Sequence, residues 1–420
     1  MPDAHFTPRG IARSLAGWAV IAGVVGVLAG IASAVFLLSL DAATAWRETH
    51  SWIIVALPLG GLGIGLLYQH LGASVEAGNN LVLDEIHDPK KRLPLRMAPL
   101  ILVATVATHL FGGSAGREGT AVQMGASLAD QLTRWLHLER HDRRILLMAG
   151  ISGGFAAVFG TPLAGMVFGL EVLAIGALRF EALFPCLVAA VVGDRVTVAL
   201  GVQHTVYTVA PWGSPTWAGL GAALAVGLAC GLVARFFTQA TRGIGGFAKV
   251  RIPWMPLRLV VGGVLVVAGT LALGFDTRYL GLGIPLMVES FTHPLPAWDF
   301  VLKFAFTVVT LGFGFKGGEV TPLFCIGATL GSAAAAVLPL PVDVCAGIGF
   351  VALFAGAANT PLACILMACE LFGVHIGVPA ALACVASYLV SGHAGIYKSQ
   401  RIAQAKPGNS SPEAIPRTPQ

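Results

Sequence analysis

Apolar runs long enough to cross a lipid bilayer recur along this chain, and nothing else in it constrains the fold so strongly. Full or partial runs cover Leu15–Leu40, Ser51–Leu71, Pro99–Gly112, Trp217–Phe237, Leu257–Gly274, Val301–Gly314 and Val344–Phe354. A helix that spans the hydrocarbon core needs about 20 mostly apolar residues. Hydrophobic residues make up 56% of the chain and charged residues only 11%, against about 25% charged in a soluble protein. The expected class is an all-α polytopic membrane protein whose main partner is the lipid bilayer. The first run follows Arg9 and Arg13, but it is too long for the apolar region of a signal peptide and further spans follow it.

The net charge of +5 is spread over loops and termini. That distribution suits orientation by positive loops and does not suit nucleic-acid binding. The basic stretches Asp88–Arg96 and Arg134–Arg144 are expected near the cytoplasm. The seven cysteines stand singly in apolar runs, where cysteine acts as a small hydrophobe, so neither a disulfide framework nor a metal site is expected. Residues 1–14 read as a cytoplasmic N-terminal segment, and 406–420, rich in Pro and Ser, as a disordered tail. No cytoplasmic regulatory domain is expected.

The chain also repeats itself. FAAVFGTPLAGMVFGLEVL (Phe155–Leu173) aligns with FAGAANTPLACILMACELF (Phe354–Phe372), pairing Phe155 with Phe354, the two Thr-Pro-Leu triplets, and Glu171 with Glu370 at one constant spacing. Upstream, AGREGTAVQMGASL (Ala115–Leu128) resembles KGGEVTPLFCIGATL (Lys316–Leu330), with Gly116 against Gly318 and Gly125 against Gly327. The expected division is a first membrane repeat over 15–210 and a second over 211–405. Duplicated halves in transporters are commonly inverted with respect to each other. Glu171 and Glu370 read most simply as markers of matching helix ends.

Both halves carry Gly-rich interruptions ahead of an apolar helix: EAGNN and GREGT in the first, GGEVT in the second. Irregular backbone at membrane depth survives only where it is buried or lines a watery cavity. A helix beginning there presents unpaired N–H groups and the positive end of its dipole. Several such ends together form an anion site without a full positive charge. Glu118, at the start of a helix, is a carboxylate in the kind of place a small anion would occupy. Protonation would release it, which would couple anions to protons. The other reading of Glu118 is a structural cap or a surface loop residue. Arg117 suits a structural ion pair better than a direct role on the anion. His109, on an apolar face, reads as a packed histidine.

These residues carry a resemblance. GREGT (Gly116–Thr120) resembles the GREGP-type motif of the CLC chloride channels and anion/proton antiporters, and GGEVTP (Gly317–Pro322) resembles their second Gly-rich anion motif. TPLAG and TPLAC match the paired proline-containing helices, and GIYKSQ (Gly395–Gln400) resembles the last helix, which supplies a tyrosine hydroxyl, here Tyr397. The resemblance runs from about residue 15 to 405. It implies a CLC-type inverted-repeat fold of tilted and broken helices, a homodimer, one anion pathway per subunit, and Glu118 as the gating and proton-coupling glutamate. It implies anion-binding positions at Asn79, Asn80, Gly116, Arg117, Gly119, Val320, Thr321 and Tyr397, with no catalytic residue, no metal and no cofactor.

The departures from the family's commonest pattern are equally specific. EAGNNLVLDEI (Glu76–Ile86) stands where a GSGIP serine is usual, Thr120 replaces the motif's last proline, Glu319, Val320 and Thr321 replace apolar residues, and Val172 stands at the internal proton-transfer glutamate. This set is similar to the fluoride-exporting CLC-F branch, which implies a fluoride/proton antiporter in the bacterial inner membrane. The alternative is a chloride channel or chloride/proton antiporter. Fluoride is strongly hydrated and needs good donors, and an asparagine amide offers two N–H groups where a serine offers one O–H. Asn79 is preferred over Asn80, with helix N-capping as the competing role for both. Glu319 could hold structure, tune the field or bind a cation. A membrane enzyme is the reading from another class, but no nucleophile–base pair or phosphate loop supports it.

Overall fold

The computed structural model describes residues 8–211 and 216–407. Helix α1 (Pro8–Thr49) shows why the chain needs a membrane. Its Ala22, Val25, Ala29, Phe36 and Leu40 are buried, yet Val20, Val24, Ile31, Val35 and Leu38 are exposed around the opposite face. A helix apolar on both faces has lipid as its solvent on the outer one. Five helical stretches among the described residues are long and apolar enough to span: Leu15–Thr49, Ser51–His87, Phe180–Ala199, Trp217–Arg251 and Met255–Ala272.

The first half continues with α2 (Leu57–Leu67), α3 (Asn79–His87), α4 (Met97–Leu110), α5 (Glu118–Trp135), α6 (Arg140–Phe159), α7 (Pro162–Glu171) and α8 (Leu183–Ala199). The second contains α9 (Trp217–Arg251), α10 (Met255–Ala272), α11 (Ile284–Glu289), α12 (Ala297–Gly312), α13 (Val320–Ala334), α14 (Val342–Ala358), α15 (Pro361–Phe372) and α16 (Gly377–Val390). Several helices are too short to span, so they break inside the protein, as the glycine-rich interruptions require. One minimal parallel sheet joins β1 (Ala174–Ile175) to β2 (Arg401–Ile402).

The repeat is visible as contact geometry. In the first half α5 meets α6 through Gly125 and Gly150: a Cβ on Gly125 would lie 2.3 Å from the Gly150 carbonyl oxygen. In the second half α13 meets α14 the same way, with a Cβ on Gly327 2.2 Å from the Gly349 carbonyl oxygen. Only glycine permits backbones this close. Phe155 and Phe354, aligned in the sequence, stack at 6.3 Å between ring centroids, and Phe168 packs 4.2 Å from Phe155. This aromatic group forms the centre of the main core.

Glu171 and Glu370 do lie at matching helix ends, but their function is reciprocal capping. Glu171, ending α7, accepts from the amides of Leu362 (3.0 Å) and Ala363 (2.9 Å) in the first turn of α15. Glu370, near the end of α15, accepts from Leu163 (2.9 Å) and Ala164 (2.8 Å) in the first turn of α7. Each carboxylate satisfies amides that have no partner within their own helix, at the positive end of its dipole. Pro162 and Pro361 open these helices, where a missing N–H costs nothing.

A buried arginine fixes α3 against α5. Arg143 of α6 donates to both oxygens of Asp130 at 2.7 Å, to Glu85 at 3.1 Å and to the Lys91 carbonyl at 2.7 Å. This network joins α3, α5, α6 and the basic loop after α3. Of the expected flanking segments, residues 1–7 and 408–420 lie outside the described residues. Helix α1 already runs from Pro8, and Lys406, taken as the start of a disordered tail, is only 3% exposed.

Candidate functional site

The N-termini of α5 and α13 meet head to head. Gly116 and Gly318, which precede them, form an antiparallel bridge in which each amide donates to the other's carbonyl, at 2.6 and 2.7 Å. A Cβ on Gly318 would sit 2.8 Å from the Gly119 amide nitrogen. The glycines therefore let two positive helix ends converge on one point inside the protein.

Glu118 is the first residue of α5 and is fully buried. Its carboxylate crosses to the other half of the chain. The Thr321 amide donates to Glu118 Oε2 at 3.0 Å, and the Thr321 hydroxyl donates to Oε1 in a short hydrogen bond. The Arg117 amide donates to Oε2 at 3.2 Å, and the Arg117 Nε lies 3.6 Å from Oε1. Two backbone amides, a hydroxyl and a guanidinium around one point are donors of the kind that accommodate a negative charge. The surface-loop alternative for Glu118 does not match this burial.

Asn79 and Asn80 open α3, but Gly78, at φ +58°, holds the N-cap position, so neither asparagine occupies it. The two side chains diverge. Asn80 Oδ1 accepts from the Ser399 amide at 3.1 Å. Asn79 faces the start of α5, where its Nδ2 would lie 2.9 Å from a Cβ on Gly119, and its buried Oδ1 has no hydrogen-bond partner. Tyr397 is buried and packs edge-on against Phe168 at 6.3 Å. It stands on an irregular segment between α16 and β2, not on the last helix that the resemblance implies. Arg401 and Ala403 just beyond it are committed to pairing with Leu173 and Ile175, which draws this segment out of helical geometry.

Three cavities adjoin these groups. The largest, about 330 Å³, is lined by Asn79, Asn80, Glu319 and Tyr397 together with Lys316 and Arg258. A second, about 10 Å³, lies between Asn79, Tyr397, Phe168, Val122 and Val172. That is room for one water-sized particle. A third, also about 10 Å³, is lined by Thr321, Arg117, His204, Tyr207 and Phe324. Asn79 and Tyr397 are common to the first two, and Thr321 and Arg117, which grip Glu118, line the third. Val320 is buried as the first residue of α13, and Glu319 precedes it, lining the largest cavity without capping the helix.

Sequence reasoning passed over several groups that shape this site. Lys316 reaches over the Tyr68 ring at 4.1 Å, and with Arg242, Lys249, Arg258 and Lys398 makes the large cavity basic. Lys303 is fully buried and donates to Ser114 Oγ (3.0 Å) and to the carbonyls of Tyr279 (3.0 Å) and Gly281 (2.8 Å), holding the loop that leads into Glu118. A lysine inside an apolar helix was a signal for it. Thr120, at the departed proline, bonds Thr105 at 2.7 Å, and His109 is a packed histidine bonded to the carbonyls of Thr105 and Ala115.

The family model described as voltage gated chloride channel matches residues 60–392. A chloride/fluoride channel protein of Pseudomonas syringae pv. tomato is 57% identical over 406 residues, covering 96% of this chain and 90% of that one. The crystal structure of a CLC-type fluoride/proton antiporter superposes with a TM-score of 0.89 at 36% identity, covering 93% of this chain and 98% of the other. A slow cyanobacterial Cl⁻/H⁺ antiporter shares the fold, with a TM-score of 0.78 at 21% identity over 90% of this chain and 96% of its own.

Proposed function

The chain belongs to the CLC family of multi-pass membrane proteins, and from that premise we propose that it exchanges fluoride for protons across the bacterial inner membrane as a homodimer, with Glu118 as both gate and proton carrier. The observation that carries this reading is the grip of Thr321 on Glu118: the carboxylate fills a site built for an anion. When Glu118 is ionised it competes with fluoride for the Thr321 amide and hydroxyl. When it takes up a proton it loses that attraction, and the same donors are open to the anion. One anion site and one proton site thus share the same hydrogen bonds, which is the physical basis of exchange.

Fluoride would approach through the basic cavity, whose lysines and arginines concentrate anions by their field. Asn79 and Tyr397 would receive it in the one-particle cavity beside Val172, replacing water with an amide N–H and a phenol O–H. Glu319 stands at the mouth of this route, where its protonation state would tune the field on a passing anion. With an apolar Val172 at the internal acid position, protons have no fixed relay there, and Glu118 would face both sides itself.

The names of the relatives support fluoride as the substrate of this group, and the name of the Pseudomonas protein also favours chloride as a second reading. Purified protein in liposomes, with fluoride, chloride and proton electrodes recorded together, separates the two. Fluoride efflux coupled to proton entry with little chloride efflux is expected. Chloride flux equal to or above fluoride flux overturns the fluoride assignment.

A further inference from the structure

Lys406 is the last buried residue of the described chain, and its ammonium sits in a cage of oxygens. Nζ donates to Asn359 Oδ1 (2.5 Å), to the carbonyls of Tyr388 (2.5 Å) and Gly392 (2.5 Å), and to Ser391 Oγ (3.2 Å). It also lies 3.9 Å from the centre of the Tyr388 ring. The carbonyl of Tyr388 belongs to the last turn of α16, whose carbonyls lack donors of their own and whose dipole favours a cation. An ammonium has three hydrogens for these four acceptors, so one is shared, with Ser391 Oγ the most distant partner.

The cage is connected to the Tyr397 segment. Asn359, left-handed at φ +57° as it ends α14, donates from Nδ2 to Gln400 Oε1 at 3.0 Å. Gln400 donates from Nε2 to the carbonyls of Val172 and Ala358, both at 3.0 Å. The Ile396 amide donates to Ala357 at 2.8 Å, and the Ser399 amide to Asn80 at 3.1 Å. Tyr397 has no helix to hold it. Besides the packing of its ring on Phe168, its segment is held by this chain of polar contacts, which the Lys406 side chain closes at one end.

We propose that Lys406 is a positioning residue for Tyr397: by filling an oxygen cage at the end of α16 it clasps Asn359 and Gln400, and so fixes the tyrosine at the anion route. Its consequence for transport rests on the function proposed above. Emptied of its lysine side chain, the cage keeps four oxygen acceptors of the kind that accept from a free ammonium ion.

The test is Lys406→Met in the full-length protein, read by amide hydrogen exchange over residues 393–404 and by fluoride/proton exchange in liposomes. Exchange in that segment should accelerate by about tenfold or more, and turnover should fall with it. In Lys406→Ala, which empties the cage, protection and turnover should be lost as well, and ammonium at tens of millimolar should restore them, whereas sodium-only buffer should not. A Lys406→Met protein with wild-type protection and wild-type turnover overturns the proposal, as does a loss of turnover with protection unchanged. If Lys406→Met does not fold, Gln400→Met cuts the same chain one step further on without emptying the cage. It should loosen 396–400 only, and unchanged protection there overturns the proposal equally. Absence of fluoride/proton exchange in the wild type would count against the proposed function alone, because amide protection over 393–404 still reads the clasp.

Discussion

Gly116 and Gly318 donate to each other's carbonyls at 2.6 and 2.7 Å, and this bridge, with the Thr321–Glu118 hydrogen bonds, joins the starts of α5 and α13. The positive ends of two helices would repel across so short a gap without an anion between them. Glu118 supplies that negative charge from within the chain. In the proposed exchange, a bound anion would take the place of this carboxylate at the same donors.

A methyl group at the bridge should break it. Gly318→Ala places a Cβ 2.8 Å from the Gly119 backbone nitrogen, with no flexible side chain to yield. We expect a destabilisation of about 1–3 kcal/mol from overpacking, seen as a lower thermal midpoint in detergent, and loss of transport. A fully active Gly318→Ala protein would show that the helix ends need not be this close.

Replacing the carboxylate by an amide tests proton coupling. Glu118→Gln keeps the size and an acceptor for Thr321 but carries no titratable proton. Proton movement should fall to the level of empty liposomes whatever happens to the anion flux. Proton entry at the wild-type ratio to fluoride would falsify Glu118 as the carrier.

Thr321 should matter through its hydroxyl. Thr321→Val retains the backbone amide and the shape and removes one of the donors on Glu118. A hydrogen bond to a charged group contributes about 1.5–3 kcal/mol, so fluoride transport should drop by about tenfold or more. Thr321→Ser should recover most of it. If valine and serine behave alike, the hydroxyl is not a ligand.

The reciprocal caps predict a pair of independent stability losses. Glu171→Ala leaves the Leu362 and Ala363 amides without an acceptor, and Glu370→Ala does the same to Leu163 and Ala164. An unsatisfied buried donor costs about 1–3 kcal/mol. Glu171 is the more deeply buried of the two, so its substitution should lower the thermal midpoint further. Equal and negligible shifts would mean that water replaces both carboxylates freely.

Lys303 gives a sharper stability test. Lys303→Met fills the space but abandons the carbonyls of Tyr279 and Gly281 and the hydroxyl of Ser114. The Ser114 loop leads directly into Glu118, so transport should fail at temperatures where the protein is still folded. Circular dichroism and flux on the same preparation would reveal whether the two losses separate.

Much of this protein was legible in its residues, and for local reasons. Hydrophobic runs report membrane spans because each residue's transfer to lipid is independent of the fold. The repeat was legible because Gly125 and Gly327, the two Thr-Pro-Leu triplets, and Glu171 and Glu370 kept their types, each under the same local demand in its half. The start of α5 at Glu118 was legible from the glycines before it. What could not be read was every partner. Helical periodicity relates a residue to neighbours three or four positions away, but Thr321 bonds Glu118 across 203 residues and Ser399 bonds Asn80 across 319. Two adjacent asparagines look equivalent in sequence, and only the packed segment around Tyr397 turned Asn80 to Ser399 and left Asn79 facing α5. Tyr397 itself reads as helical by resemblance, but pairing of β2 with β1 draws its segment into coil. Inverting one half against the other decided which helix ends meet, and a hydrogen bond exists only where that packing brings donor and acceptor within about 3 Å.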